Sequence, residues 1–255
     1  MHAGWRGFGL ALMVAMTVAL GACQGSVASG QPCPGDPDEE VMQLREEWTR
    51  APYSGLHDDH DGQCGRNPQA IESKEMIRRK AENLLFRYPQ HVPTRFFAAL
   101  LAYEANDPTR ATEHLDTLFA LQPIHPEAAV LRARIALEAG NAQFATGLLE
   151  DQIALRPDNA ELYETLSSAY FLQNRPTDAV SALATADSLG APKWRTAYNR
   201  GLLAESQGNT DQAIAYFKDC LKLMPGWPPA QARLRGLERG SPGAQAVAFP
   251  PLNAR

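Results

Sequence analysis

Six columns of residues recur along this chain at intervals of 34, all in phase. Ala111, Ala145, Ala179 and Ala213 form one column, and Leu121, Leu155, Leu189 and Leu223 a second. Leu115, Leu149, Leu183 and Phe217 make a third, and Ala99, Ala133, Ser167 and Gly201, all small, a fourth. Pro89, Pro123, Pro157 and Pro225 share the period; Ala191 stands at the missing place, with Pro192 one position late. The sixth column, Asn106, Gly140, Asn174 and Gly208, holds only residues that tolerate a left-handed backbone. A fixed period of this length means one supersecondary unit repeated and stacked, because a single unit cannot bury its own apolar face.

Each column has a physical job. Asn or Gly ends the first helix of a pair by adopting positive φ. A polar residue and often Pro, as in Asp107-Pro108, opens the second helix. The Ala and small columns let helix axes approach, and the two Leu columns fill the space between neighbouring pairs. Pro stops the second helix before the next unit begins. Composition agrees, since 44% hydrophobic and 21% charged residues suffice for a core and do not signal disorder. The net charge of −5, from 24 Lys+Arg against 29 Asp+Glu, argues against nucleic acid as a partner.

The pattern resembles the tetratricopeptide repeat, a 34-residue helix-turn-helix unit. The resemblance covers four full repeats, 92–125, 126–159, 160–193 and 194–227, and implies an all-α fold, an α-solenoid. Helix 69–88 with Pro89 looks like the second half of an earlier repeat, and 228–239 like a capping helix. Residues 240–255 are expected to be a disordered tail. The family's bulky aromatic near the start of each repeat survives only at Tyr163, with Arg95, Ala129 and Ala197 in its place elsewhere. Its small residue late in the second helix is replaced by Leu118 and Gln152.

The N-terminus sets the expected compartment. Phe8 to Leu20 is a 13-residue apolar stretch after a single fixed charge, Arg6, too short to span a membrane comfortably. It runs into Leu20-Gly21-Ala22-Cys23, which resembles a bacterial lipobox. The resemblance implies a leader at 1–22, a diacylglycerol on Cys23 and, with Gln24 rather than Asp following, an outer-membrane lipoprotein facing the periplasm. Loss of Arg6 with the leader makes the net charge −6. Residues 23–37 read as a flexible tether. Asp36-Pro37-Asp38-Glu39 then starts a helix whose face carries Val41, Leu44 and Trp48. With a polar loop, 53–68, and the half repeat it forms an N-terminal cap over 38–91.

That loop, His57-Asp58-Asp59-His60-Asp61-Gly62 with Cys64 and the upstream Cys33, leaves three readings open. Two Cys and two His could bind zinc, in a metal-dependent enzyme or sensor. Export to an oxidising compartment favours a Cys33–Cys64 disulfide, whose loop closure would contribute roughly 3–4 kcal/mol in the chain-entropy model. The third reading is a solvated acidic loop with two unrelated thiols.

For function, the resemblance implies a concave groove lined by the first helices that takes a protein or peptide partner. Helical spacing places Phe96, Leu100 and Tyr103 there, then Val130, Arg134 and Leu137. Glu164, Ser168 and Phe171 follow, then Tyr198, Leu202 and Glu205. Aromatics with one Arg and two Glu suit an amphipathic peptide. No H-E-x-x-H, G-x-S-x-G or phosphate-cradling loop occurs, so no enzyme and no cofactor are expected. Cys220 reads as a packed small residue rather than a nucleophile. A membrane-anchored scaffold for envelope, pilus or secretion assembly is the reading that results.

Overall fold

The computed structural model describes residues 35–51, 57–58, 64–65 and 68–240. The expected leader, the acylated Cys23, the tether with Cys33, and the tail beyond Gly240 lie outside these residues. So do the side chains of the His57–Cys64 loop, and with them the disulfide and metal readings. The described residues from Pro37 on pack as one unit.

Eleven helices are present among the described residues. α1 (Pro37–Arg50) and α2 (Pro68–Arg87) flank the polar loop, in which β1 (His57–Asp58) and β2 (Cys64–Gly65) pair antiparallel. Then come α3 (Val92–Glu104) with α4 (Pro108–Leu121), and α5 (Pro126–Glu138) with α6 (Ala142–Leu155). Next are α7 (Ala160–Leu172) with α8 (Pro176–Ser188), α9 (Lys193–Ser206) with α10 (Thr210–Leu223), and finally α11 (Pro228–Glu238). The fold is an all-α solenoid of helix pairs. No helix among the described residues is long and apolar enough to cross a membrane.

Local chemistry sets the helix ends. Asn106, Gly140, Asn174 and Gly208 adopt φ of 60°, 78°, 57° and 76°, so each within-repeat turn is left-handed. Two second helices, α4 and α6, start on side-chain caps: Asp107 accepts from the Arg110 amide and Asn141 from the Phe144 amide. Before Pro123, Pro157 and Pro225 the last residues, Gln122, Arg156 and Met224, leave the helical region, as a following proline requires. Where proline is missing at 191, Gly190 makes the break instead, with φ of 89°.

Helices pack with their partners and with the next repeat. First helices also touch first helices: α5 lies on α7 and α7 on α9. α1 packs on both α2 and α3 in the same way. It therefore takes the place of a first helix, and α1 with α2 forms an extra pair whose connection is the long polar loop. The Ala column (Ala111, Ala145, Ala179, Ala213) is 0% exposed, and Leu115, Leu149, Leu183 and Phe217 are no more than 1% exposed. The other Leu column departs from expectation. Leu121, Leu155, Leu189 and Leu223 are 38–56% exposed and fill no space between pairs. They sit at the last residue or cap of each second helix, where the chain has already run past its neighbours and turns into the next repeat.

Candidate partner-binding face

The inner-face candidates divide by burial. Phe96, Leu100 and Tyr103 on α3 are half-buried and rest on the core formed by α3, α4 and α5. The Phe96 ring lies 5.0 Å from that of His125. Phe171 on α7 and Leu202 on α9 are also half-buried. Val130, Leu137 and Tyr198, by contrast, are buried and offer a ligand no surface in this conformation. α5 is flanked by other helices on both sides, so a position that faces outward on an isolated helix here faces a neighbour. Tyr198 stands edge-on to Trp227 at 4.5 Å and against Phe217 at 5.6 Å, filling the last core before the C-terminal helix.

The polar candidates belong to a ladder that joins successive first helices. Tyr103 donates from its hydroxyl to Glu138 Oε1, linking α3 to α5. Burial, reinforced by that carboxylate, pushes the Tyr103 phenol far above its ordinary value. Arg134 of α5 is 5% exposed, and desolvation lowers its affinity for the proton against the attraction of Glu161. Glu164 of α7 is 6% exposed; Arg195 of α9 donates from Nη2 to its Oε2 at 2.5 Å, and Nη1 lies 3.7 Å from Glu161. Burial raises the Glu164 carboxyl to about 7, with Arg195 opposing. Ser168 donates back to the Glu164 carbonyl at 3.4 Å. Glu205 of α9 accepts from Arg233 Nη1 of α11 at 3.3 Å.

Arg195, Glu161, Glu138 and Arg233 were not legible as part of this face. Their partners stand 28–35 residues away, about one repeat, so a search for charge pairs at that offset would have found them. Cys220 is buried and free, and desolvation lifts its thiol to about 11, which makes it a poor nucleophile at neutral pH. No group of three or more His, Cys, Asp or Glu able to hold a metal ion occurs among the described residues.

Comparison with known proteins agrees with this architecture. Two tetratricopeptide-repeat family models match, at residues 98–145 and 194–227. No curated protein sequence matches the chain. Among solved structures, a thermophilic TPR protein of Thermus thermophilus is similar at TM-score 0.62 and 16% identity, over 80% of this chain and 100% of that one. PilW, described as a widely conserved type IV pilus biogenesis factor, is similar at 0.54 and 22%, over 59% and 70%. MamA 41-end from Desulfovibrio magneticus is similar at 0.53 and 16%, over 74% and 98%. At these identities the likeness is one of fold.

Proposed function

The chain is a tetratricopeptide-repeat protein, a scaffold for protein–protein interaction, and on that premise we propose that it is a membrane-anchored adaptor that binds one polypeptide partner on its inner face and performs no catalytic step. Cys23 would hold it in the outer membrane, facing the periplasm, and its partner would belong to an envelope, pilus or secretion assembly. The lipobox-like Leu20-Gly21-Ala22-Cys23 supports the anchor. The fold shared with a pilus biogenesis factor is compatible with the assembly role.

The observation that carries the binding site is the half-buried set Phe96, Leu100, Tyr103 and Phe171 on the first helices. Their backs are fixed in the core and their remaining surface is open, the state of an aromatic anchor before a partner completes its burial. The charged ladder between them holds neighbouring first helices in register. A double change, Tyr103→Ala with Phe171→Ala, is expected to weaken capture of the partner from envelope extract by at least about 30-fold, the equivalent of about 2 kcal/mol. Circular dichroism of the variant should show unchanged helicity. Undiminished capture by the folded variant would place the site elsewhere. Intact-mass analysis of the native protein tests the anchor: an unmodified Cys23 rules it out.

A further inference from the structure

Of the ten large apolar side chains most exposed among the described residues, six lie at one edge of the solenoid. They are Phe86 in the last turn of α2, Leu121, Leu155, Leu189 and Leu223 at the ends of the next four second helices, and Ile124 in a connection between repeats. Phe86 is 89% exposed, Leu155 55% and Leu223 56%. The edge is defined by topology: every second helix ends there and every following first helix begins there. The opposite edge holds the left-handed turns, whose tips are Ala105-Asn106-Asp107, Ala139-Gly140-Asn141, Gln173-Asn174-Arg175 and Gln207-Gly208-Asn209. Those tips carry no large apolar residue. Exposed apolar side chains along one edge and polar tips on the other form an asymmetry that stability does not require, because these side chains are not in the core.

The N-terminus of α1 lies at the apolar edge. Glu40, in its first turn, receives Arg87 Nη1 from the end of α2 at 2.9 Å, and Asp38 Oδ1 is 3.1 Å from His91 Nε2 in the connection to α3. Thirteen residues, 24–36, separate that point from Cys23. A segment of thirteen residues reaches at most about 45 Å even when fully extended, so the anchor stays within reach of that edge. Exposed Arg156, Lys193 and Lys222 flank the leucines, each paired with a surface carboxylate at 2.7–3.4 Å. Long cationic side chains beside an apolar row place their stems on hydrocarbon and their heads at phosphate level.

We infer that this edge rests on the phospholipid surface to which Cys23 is anchored, so that the lipid and the leucine row together fix the orientation of the solenoid. The inference rests on the lipoprotein reading above. An acyl anchor combined with an exposed apolar surface gives membrane attachment that either signal alone gives weakly. The orientation turns the within-repeat turns away from the bilayer and sets the first-helix face across it, open to a partner.

The test uses the full chain, made with its leader in a diderm bacterium. Leu155 or Leu223 is replaced by p-benzoylphenylalanine, with Asn106 on the opposite edge as control. Membranes are illuminated and the adducts, together with the state of Cys23, are read by mass spectrometry. The expected result is an acylated Cys23, phospholipid adducts from the Leu155 and Leu223 positions, and none from the Asn106 position. Acylated Cys23 with protein adducts alone makes the row a protein-docking edge and overturns the inference, as does acylated Cys23 with no adduct at either leucine. If Cys23 carries no lipid, the anchor reading fails separately. The same probes are then read on purified protein mixed with phosphatidylethanolamine/phosphatidylglycerol vesicles: lipid adducts at the leucine positions preserve the membrane-facing edge, and their absence overturns it.

Discussion

At Gly201 there is no room for a methyl group: a Cβ there would lie 2.6 Å from the Phe217 ring. Phe217 is the only aromatic in a column otherwise made of Leu115, Leu149 and Leu183, and Gly201 is the only glycine in the facing column of Ala99, Ala133 and Ser167. The two departures therefore compensate each other. Gly201→Ala is expected to cost about 1–3 kcal/mol by overpacking. In a Phe217→Leu background the same change should cost little, since the first two full repeats already pair Ala with Leu. Urea unfolding of the four proteins measures this, and an equal cost in both backgrounds would remove the ring as the cause. Glu164 gives a second residue-level prediction. Its folded value of about 7 lies above the ordinary 4.5, so the native state binds the proton more tightly. Its contribution to stability therefore rises as pH falls from about 7 to 4.5, by an amount of order 1–3 kcal/mol, and stays absent above that window. Glu164→Gln should remove this component. Denaturation at about pH 8 and about pH 5.5 should then show a smaller pH difference than the parent; an unchanged difference would assign the titration to another group.

Elements end where short-range chemistry dictates, and that part of the fold was readable. The Asn/Gly column predicts four left-handed turns, and all four occur. The proline column predicts where second helices stop, and at 191 its failure is made good by Gly190, which lies outside the periodic columns. A long polar residue such as Gln152, where the family pattern has a small one, would be expected to weaken its repeat. It is instead 4% exposed and bridges the preceding connection: its Nε2 donates to the Pro123 carbonyl at 2.8 Å and its Oε1 accepts from the His125 amide at 3.0 Å. Gln152→Ala should cost about 2 kcal/mol by leaving both backbone groups unpartnered. It should also speed hydrogen exchange at the His125 amide selectively; unchanged exchange there would show that water replaces the bridge. The inner face was only partly legible for a related reason. Periodicity reports which side of one helix is apolar, whereas burial depends on how many helices press on that side. Val130, Arg134 and Leu137 on α5 stand 34 residues after Phe96, Leu100 and Tyr103 on α3, at equivalent helix positions, yet on α5 a neighbour covers them. The exposed Leu column shows the converse: a residue in perfect register with the period still projects into solvent when the helix ends beneath it.

Among the described residues, each helix of the solenoid packs chiefly on its neighbours. α3 packs on α4, α4 on α5, α5 on α6, and so to α10 on α11, with first helices adding contacts to the adjacent repeat. Stability in such an array is close to a sum of repeat and interface contributions. A local lesion is therefore felt locally, unlike one in a globular core where every element shares the same cluster. The last core, with Tyr198, Phe217, Cys220, Trp227 and Ala230, is separate from the one that unites Ala99, Leu115, Leu118 and Leu131. Phe217→Ala should remove about 3–5 kcal/mol from the C-terminal core. Amides of α9, α10 and α11 are then expected to exchange by opening of that end alone, while those of α3 and α4 retain the protection of the parent. Native-state hydrogen exchange with peptide resolution measures both ends in one experiment. Equal loss of protection along the chain would mean that the repeats unfold as one cooperative unit, and that the interfaces between pairs outweigh what any single pair lacks.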